Sequence, residues 1–293
     1  MGIWGSTFAV TKDVMAEFPP LALAFLRVAI SAVLLLPLAW MRHRRAAANA
    51  RPLPWGTLFA MGLIGVALHY SLFNLGMVYI SASQGALVQS SIPAVTALIA
   101  VVGLREHASS RRIAGIVLSV IGIVVIFMGA EDSGGSATSG SISGQWLGNL
   151  LMFGSVIAWG IYTSLAKRVA AFDPLVVTGY VIAFGAVLLL PFALYELSGR
   201  DLPRITAFGS LQILYLGGMA SGIAFLIYNR ALEGMDASQA GVFANLIPVV
   251  GVLSGVIFLG EPLSLRAILG GAIVMLGVWI TGSERPGAAA SSG

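Results

Sequence analysis

Along the chain, apolar runs alternate with short charged or turn-rich breaks, the runs falling at approximately 1–16, 20–41, 55–78, 82–103, 110–129, 146–167, 174–195, 207–229, 237–259 and 264–283. Wound as α-helices, runs of about twenty residues match the roughly 30 Å hydrocarbon core of a bilayer, and they lack the short alternation of barrel strands. The pattern predicts an all-α membrane protein with ten transmembrane helices. Between the fifth and sixth runs, "GAEDSGGSATSGSISGQ" at 129–145 is Gly/Ser-rich and aperiodic, a flexible linker; "ERPGAAASSG" at 284–293 reads as a disordered tail.

The polar interruptions recur. "SASQGALVQSSIPAV" from Ser81 and "DASQAGVFANLIPVV" from Asp236 place Ala-Ser-Gln and Ile-Pro at the same spacing, and Pro248 follows Pro93 by 155 positions. That offset also pairs Trp4 with Trp159, Lys12 with Lys167, Pro19 with Pro174, Gly62 with Gly217, Asn74 with Asn229, Glu106 with Glu261, Gly115 with Gly270 and Gly122 with Gly277. One gapless offset over the whole chain means two homologous five-helix halves, 1–128 and 146–283. Five is odd, so the second half enters the membrane from the opposite face, the inverted-repeat plan of many secondary transporters. The offset also places the start of the first helix about nine residues before Met1, so that the chain is clipped there or that helix is short.

Composition agrees: 58% hydrophobic and 10% charged residues, with mean hydropathy +0.93, exclude a water-soluble globule. Net charge +4 is carried largely by arginines in short loops, where they meet lipid headgroups rather than nucleic acid. Assigned to alternate sides, Lys and Arg concentrate in one set of loops, which includes Arg42, Arg44, Arg45, Arg111, Arg112 and Arg230. That set is cytoplasmic, which puts both termini inside and the 129–145 linker outside. No cysteine is present, which rules out disulfides and thiol catalysis.

Polar and aromatic side chains within the runs mark the chemistry. Gln89, Pro93, Thr96 and Ala100 share a helical spacing, matched by Ala244, Pro248, Gly251 and Gly255. The small members read as a packing seam, the prolines as helix breaks suited to gating, and Gln89, Ser90, Ser91 and Asn245 as cavity-facing groups. In the third run His69 and Tyr70 lie four residues before Phe73 and Asn74, and His69 is read as lining a cavity ahead of a purely structural role. Their counterparts are Ala224, Phe225, Tyr228 and Asn229, so the halves present different side chains. Trp4 and Trp159 with Tyr162 form aromatic-hydroxyl stripes suited to a small amphipathic ligand. Arg27 reads as an arginine snorkelling to the outer surface, ahead of an anion-binding role. No Asp or Glu falls mid-span, which makes facilitated export down a gradient the default mechanism. P-loop, HExxH and GxSxG motifs are absent, and neither cofactor nor metal is expected.

These residues together resemble the drug/metabolite transporter superfamily, EamA type. The matching stretches are "WGSTF" and "WGIYT" opening the halves, "FLRVAISA" around Arg27, "NLGMVYISASQGAL", the Pro93 and Pro248 helices, "LRE", "LGEPLS" and the Gly-rich closing helices. The resemblance implies a ten-helix inverted-repeat transporter of the inner membrane with a central cavity from helices 1, 3, 4, 6, 8 and 9. Within the superfamily the chain is similar to the YddG-type exporters of aromatic and other hydrophobic amino acids.

The leading expectation is an exporter, working as a monomer, with Trp4, His69, Tyr70, Asn74, Gln89, Ser90, Trp159, Tyr162, Tyr228 and Asn245 at its substrate site. Alternatives in the same superfamily are a multidrug carrier or a carrier of threonine, homoserine or sugar nucleotides. A sugar nucleotide needs several buried cations, and only Arg27 is available. From another class, an intramembrane enzyme lacks a nucleophile-base or metal constellation, and a helix scaffold leaves duplicated polar stripes unexplained.

Overall fold

The computed structural model describes residues 1–46, 51–103, 109–128, 142–199, 206–231 and 246–282. The expected linker up to residue 141, the tail, the start of the ninth run and Asn245 lie outside the described residues. The elements formed by the described residues are all helices, with no strand among them. In order, they form α1 (Gly2–Val14), α2 (Pro20–Ala46), α3 (Trp55–Met61), a π-helical segment π1 (Gly62–Leu68), α4 (His69–Tyr79), α5 (Ala82–Gln89), α6 (Ile92–Gly103), α7 (Ser110–Met128) and α8 (Ile142–Arg168). Then come α9 (Pro174–Leu197), α10 (Ala207–Leu214), a second π-helical segment π2 (Tyr215–Ile223), α11 (Ala224–Ala231), α12 (Leu246–Leu259) and α13 (Leu265–Gly282).

Among the described residues, eight helical spans, with α5 and α6 counted as one, are long and apolar enough to cross a membrane. Side chains such as Val33, Val187, Ile257 and Phe258 are exposed, a surface unsuited to water and suited to lipid chains. Where they are described, the expected runs coincide with helices, with three differences. The third and eighth runs are not uniform α-helices but widen into π1 and π2. The fourth breaks between α5 and α6 at Ser90 and Ser91, just before Pro93, whose ring would clash with the Gln89 carbonyl in an unbroken helix. Ser90 Oγ and Ser91 Oγ donate to the carbonyls of Leu87 and Val88, 2.6 and 2.7 Å away, reinforcing the longer 3.3 and 3.2 Å bonds that these carbonyls accept from the Ser90 and Ser91 N–H groups. Across that irregular turn Gln89 and Thr96 still face the same neighbour, α8: Gln89 bonds Ser155, and a Cβ at Gly160 would lie 3.3 Å from Thr96 Oγ1. Finally, α8 begins at Ile142, so the last four residues assigned to the linker are helical.

Glycine sets the closest approaches, since lipid supplies no hydrophobic drive and tight packing must hold the helices. α2 packs along α9, α7 along α13, α4 along α8 and α1 along α12. A Cβ added at Gly122 would lie 2.7 Å from the Gly270 carbonyl oxygen, and one at Gly115 would lie 2.7 Å from that of Gly277. The residue order rises on one helix as it falls on the other, so α7 and α13 run antiparallel. The small stripe of α12 meets α5: a Cβ at Gly251 would come within 2.5 Å of Ala86 Cβ.

Carboxylates lie at helix ends, as the sequence placed them. Glu196 Oε2 accepts from the backbone N–H groups of Leu21 and Ala22 at 2.8 Å each, closing the start of α2. Glu261 does the same for Ala82 and Ser83 at the start of α5. At the opposite pole, Lys12 Nζ donates to the Met77 and Ile80 carbonyls, 2.7 and 2.9 Å away, where α4 ends. Each pairing puts a charge where the helix dipole favours it.

Candidate functional site

The largest concentration of aromatic rings lies where α1, α4, α8 and α11 meet. On α8, Ser155, Trp159 and Tyr162 follow at i, i+4 and i+7 and so share one face. The ring of Trp159 is the hub of the group. Its centroid lies 5.0 Å from His69, 5.1 Å from Tyr162, 5.5 Å from Phe225, 5.9 Å from Trp4 and 6.2 Å from Tyr228. Trp4 also stands 5.1 Å from Tyr228, and Tyr70 stands 5.1 Å from His69. The inner rings are buried, whereas Trp4 and Tyr228 are half-buried and form the open edge. Tilted and edge-on pairs prevail, the geometry that the ring quadrupole favours at about 0.5–1.5 kcal/mol each.

Polar atoms around the rings are wired to the backbone. His69 Nδ1 lies 2.9 Å from the carbonyl oxygen of Ser155. A carbonyl only accepts, so Nδ1 carries the proton, and in the neutral ring Nε2 keeps its lone pair. Gln89 Nε2 donates to Ser155 Oγ at 2.7 Å, which joins α5 to the same turn of α8. Trp4 Nε1 donates to the Ala220 carbonyl, 2.9 Å away on π2. Asn229 Nδ2 donates to Thr178 Oγ1 at 2.8 Å, and its amide lies 3.3 Å from the Tyr162 hydroxyl. Both π-helical segments border this region, π1 leading directly into His69 and π2 carrying Ala220; such widened turns recur at functional sites.

Of the ten residues expected at the site, the structure brings Trp4, His69, Tyr70, Trp159, Tyr162 and Tyr228 into one cluster and ties Gln89 to it through Ser155. Ser90 lies at the helix break, bonded to Leu87. Asn74 is fully buried elsewhere, its Nδ2 donating to the Pro20 carbonyl at 2.8 Å and so linking α4 to the start of α2. Pro93 stands second in α6 and Pro248 third in α12. Sequence reasoning passed over Phe225 and Ser155. Both had a signal: Phe225 is the counterpart of Tyr70 at the 155-residue offset, and Ser155 precedes Trp159 by four positions. It also misplaced Arg27, which is 3% exposed and does not snorkel. Its Nε donates to Ser221 Oγ at 3.0 Å and its guanidinium lies over the Tyr70 ring, 4.5 Å from the centroid, so partners inside the bundle hold it. Among the described residues no group of three or more His, Asp or Glu converges as a metal site would require.

Comparison with known proteins agrees with a cluster built twice over from matching helices. The family model described as the EamA-like transporter family matches the chain over residues 1–128 and again over residues 146–283. The chain belongs to the EamA-like transporter family. An uncharacterized transporter of Archaeoglobus fulgidus is 32% identical over 285 residues, spanning 96% of this chain and 95% of that one. The uncharacterized transporter YyaM of Bacillus subtilis is 27% identical, spanning 94% of this chain and 88% of its own length. A protein of known crystal structure shares the fold with a TM-score of 0.66 at 19% identity, over 95% of this chain and 93% of that one. As an EamA-like transporter of the drug/metabolite superfamily, the chain is a multi-pass membrane protein whose role is transport.

Proposed function

We propose that this EamA-like transporter exports small amphipathic metabolites, aromatic and other hydrophobic amino acids foremost, by alternating access. The observation that carries the reading is the ring cluster centred on Trp159, which draws on four helices and carries oriented polar atoms at its margin. Aromatic walls with a few fixed hydrogen-bonding groups suit a ligand with a flat apolar part and a compact polar part. His69, Tyr70 and Gln89 serve the polar end; Trp4, Trp159, Tyr162 and Tyr228 form the walls. Ser90 lies beside the break before Pro93, and Pro93 and its counterpart Pro248 act as gating hinges; Asn74 supports the site through its bond to the Pro20 carbonyl, and Asn245, outside the described residues, is a further proposed contact for the polar end.

The conformational exchange rests on ten helices arranged as two inverted halves, 1–128 and 146–283, joined by an external linker. Several features support this plan. The antiparallel helices α7 and α13 are counterparts at the 155-residue offset, and their contact pairs Gly122 with Gly270 and Gly115 with Gly277, which the offset exchanges. α2 and α9 are likewise counterparts and pack together. π1 ends at Leu68 and π2 at Ile223, again 155 positions apart. Two equivalent halves can trade conformations and so open a midplane site to either side. The transporter works as a monomer in the bacterial plasma membrane, with both termini cytoplasmic and without a cofactor.

Uptake into proteoliposomes tests the reading. Radiolabelled phenylalanine, tryptophan, threonine and a sugar nucleotide are offered without any ion gradient. Phenylalanine and tryptophan are expected to enter fastest; preference for threonine or for the sugar nucleotide overturns the substrate class.

A further inference from the structure

Midway into the bundle, α2 holds a cation without the counter-charge that such a group requires. Arg27 is 3% exposed; Nε is spent on Ser221, and Tyr70 lies beneath the guanidinium plane. Nη1 is buried with no hydrogen-bond partner, and no Asp or Glu among the described residues forms an ion pair with Arg27. The contrast with other cations of this chain is direct. Arg42 reaches the surface and pairs with Asp173 at 2.9 Å, and Lys12 is surrounded by the carbonyls of Met77, Val78 and Ile80. An arginine that only fastened helices together would be saturated in the same way, because an unpaired charge in hydrocarbon is strongly unfavourable.

The surroundings of Arg27 are fixed. A Cβ at Gly217 would come within 2.7 Å of Ile30 Cβ and 3.0 Å of the Arg27 carbonyl oxygen, so π2 lies against the backbone of α2. Ser31 Oγ donates to the Gly217 carbonyl at 2.6 Å across the same seam. The guanidinium therefore has little freedom to turn outward. Its two contacts lead to the ring cluster. Tyr70 packs on His69, which packs on Trp159, and Ser221 adjoins Ala220, whose carbonyl receives the Trp4 indole.

We infer that Arg27 is the carboxylate-binding residue of the transport site, its free Nη1 donating to an anionic ligand oxygen while the apolar part of the ligand lies among the rings. This rests on reading the ring cluster as the substrate site. The ligand class is a monocarboxylate: one planar guanidinium balances and fits one carboxylate, not the two phosphates of a sugar nucleotide. Ligand entry turns an unpaired buried cation into a hydrogen-bonded pair, so the loaded carrier crosses between its two conformations without an uncompensated charge at its centre.

The test compares acids with their isosteric amides in the purified full-length protein: L-phenylalanine against L-phenylalaninamide, and L-leucine against L-leucinamide, by competition for uptake in proteoliposomes. Wild type is expected to prefer the acid by roughly 10- to 100-fold, the span of one charge-assisted hydrogen bond. Arg27→Met keeps the volume, removes the charge and melts at or above the wild-type temperature, while its acid-to-amide preference falls to within about twofold of unity. Arg27→Lys, which keeps the charge without the planar fork, falls between the two. If only the leucine pair competes and its preference depends on Arg27, the anion site stands and the aromatic substrate class falls. An acid preference that survives in Arg27→Met, or a wild type that takes acid and amide equally or takes no acid at all, overturns the inference. Where Arg27→Met does not fold, a full wild-type preference in Arg27→Lys likewise overturns the planar recognition of the carboxylate.

Discussion

The carbonyl oxygen of Ser155 accepts a hydrogen bond from His69 Nδ1 at 2.9 Å, and the hydroxyl of the same residue accepts one from Gln89 at 2.7 Å. One turn of α8 thereby holds the polar side chains of α4 and α5 in register with Trp159, four residues on. The two bonds differ in kind. His69 is tied to a backbone group that no substitution removes, whereas Gln89 is tied to a side chain that can be deleted.

Ser155→Ala removes the nearer acceptor of Gln89, with Met152 Sδ remaining 3.4 Å away, and leaves the His69 bond in place. Interhelical hydrogen bonds of this sort in membranes are worth about 0.6 kcal/mol on average and at most about 1.7. Thermal unfolding in detergent should therefore show a small loss for Ser155→Ala and for Gln89→Ala, with the double variant no worse than either. Additive losses would show that the two side chains act independently.

The contact of Gly122 with Gly270 leaves no room for a methyl group on either side. Gly122→Ala and Gly270→Ala should each destabilise the folded protein by about 1–3 kcal/mol, the usual range for overpacking. Once one substitution has parted α7 and α13, the second meets a wider gap, so the double variant should fall short of the sum. Melting temperatures of the four proteins provide the cycle, and wild-type stability in either single variant would contradict the close approach.

Glu261 closes the start of α5 by accepting from Ala82 and Ser83. Glu261→Ala leaves two backbone donors open beside the broken fourth span and should cost about 0.5–2 kcal/mol, as lost helix caps do. Glu196→Ala should act similarly on α2 through Leu21 and Ala22. Hydrogen exchange localises either effect: faster exchange should be confined to the first turn of the uncapped helix, and uniform acceleration across the bundle would contradict a capping role.

How far the sequence foretold these arrangements depends on what each feature requires. Apolar run length and Lys/Arg breaks are local properties, so the helices that the structure describes were legible within a few residues. The break before Pro93 follows from one ring and one carbonyl and was legible too. The π-helical widening of Gly62–Leu68 and Tyr215–Ile223 was not, because the apolar side chains there suit an α-helix equally well and the wider turn answers to its neighbours. Helical spacing and the 155-residue offset located Trp4, His69, Tyr70, Trp159, Tyr162 and Tyr228, which the fold then gathered. Asn74 and Asn229 show the limit of that reasoning. The same amide at matched positions bonds a backbone carbonyl in one case and Thr178 in the other, since the partner comes from a different helix. Arg27 was misread for a related reason: an arginine near a helix start has the reach to snorkel, and only the packed π2 segment keeps it inside.

The aromatic cluster is also testable by removing its hub. Trp159 contacts five rings, so Trp159→Ala should lower phenylalanine uptake by roughly 10-fold or more, in keeping with loss of an aromatic anchor worth about 2 kcal/mol. Trp159→Phe should restore part of it. Equal uptake by all three proteins would remove Trp159 from the site.

Site occupancy itself is the most direct measurement. The chain has no cysteine, so a single introduced thiol reports without background. Thr163→Cys replaces a half-buried threonine beside Tyr162; the threonine hydroxyl donates to the Trp159 carbonyl at 2.9 Å. The rate at which a small methanethiosulfonate reagent modifies this thiol is measured in transport-active proteoliposomes with and without saturating phenylalanine. Slower modification in the presence of phenylalanine, with no such protection of a thiol placed at the lipid-facing Val187, is the predicted result. Identical rates at Thr163→Cys with and without phenylalanine, in protein that still transports it, would contradict a substrate site at the ring cluster.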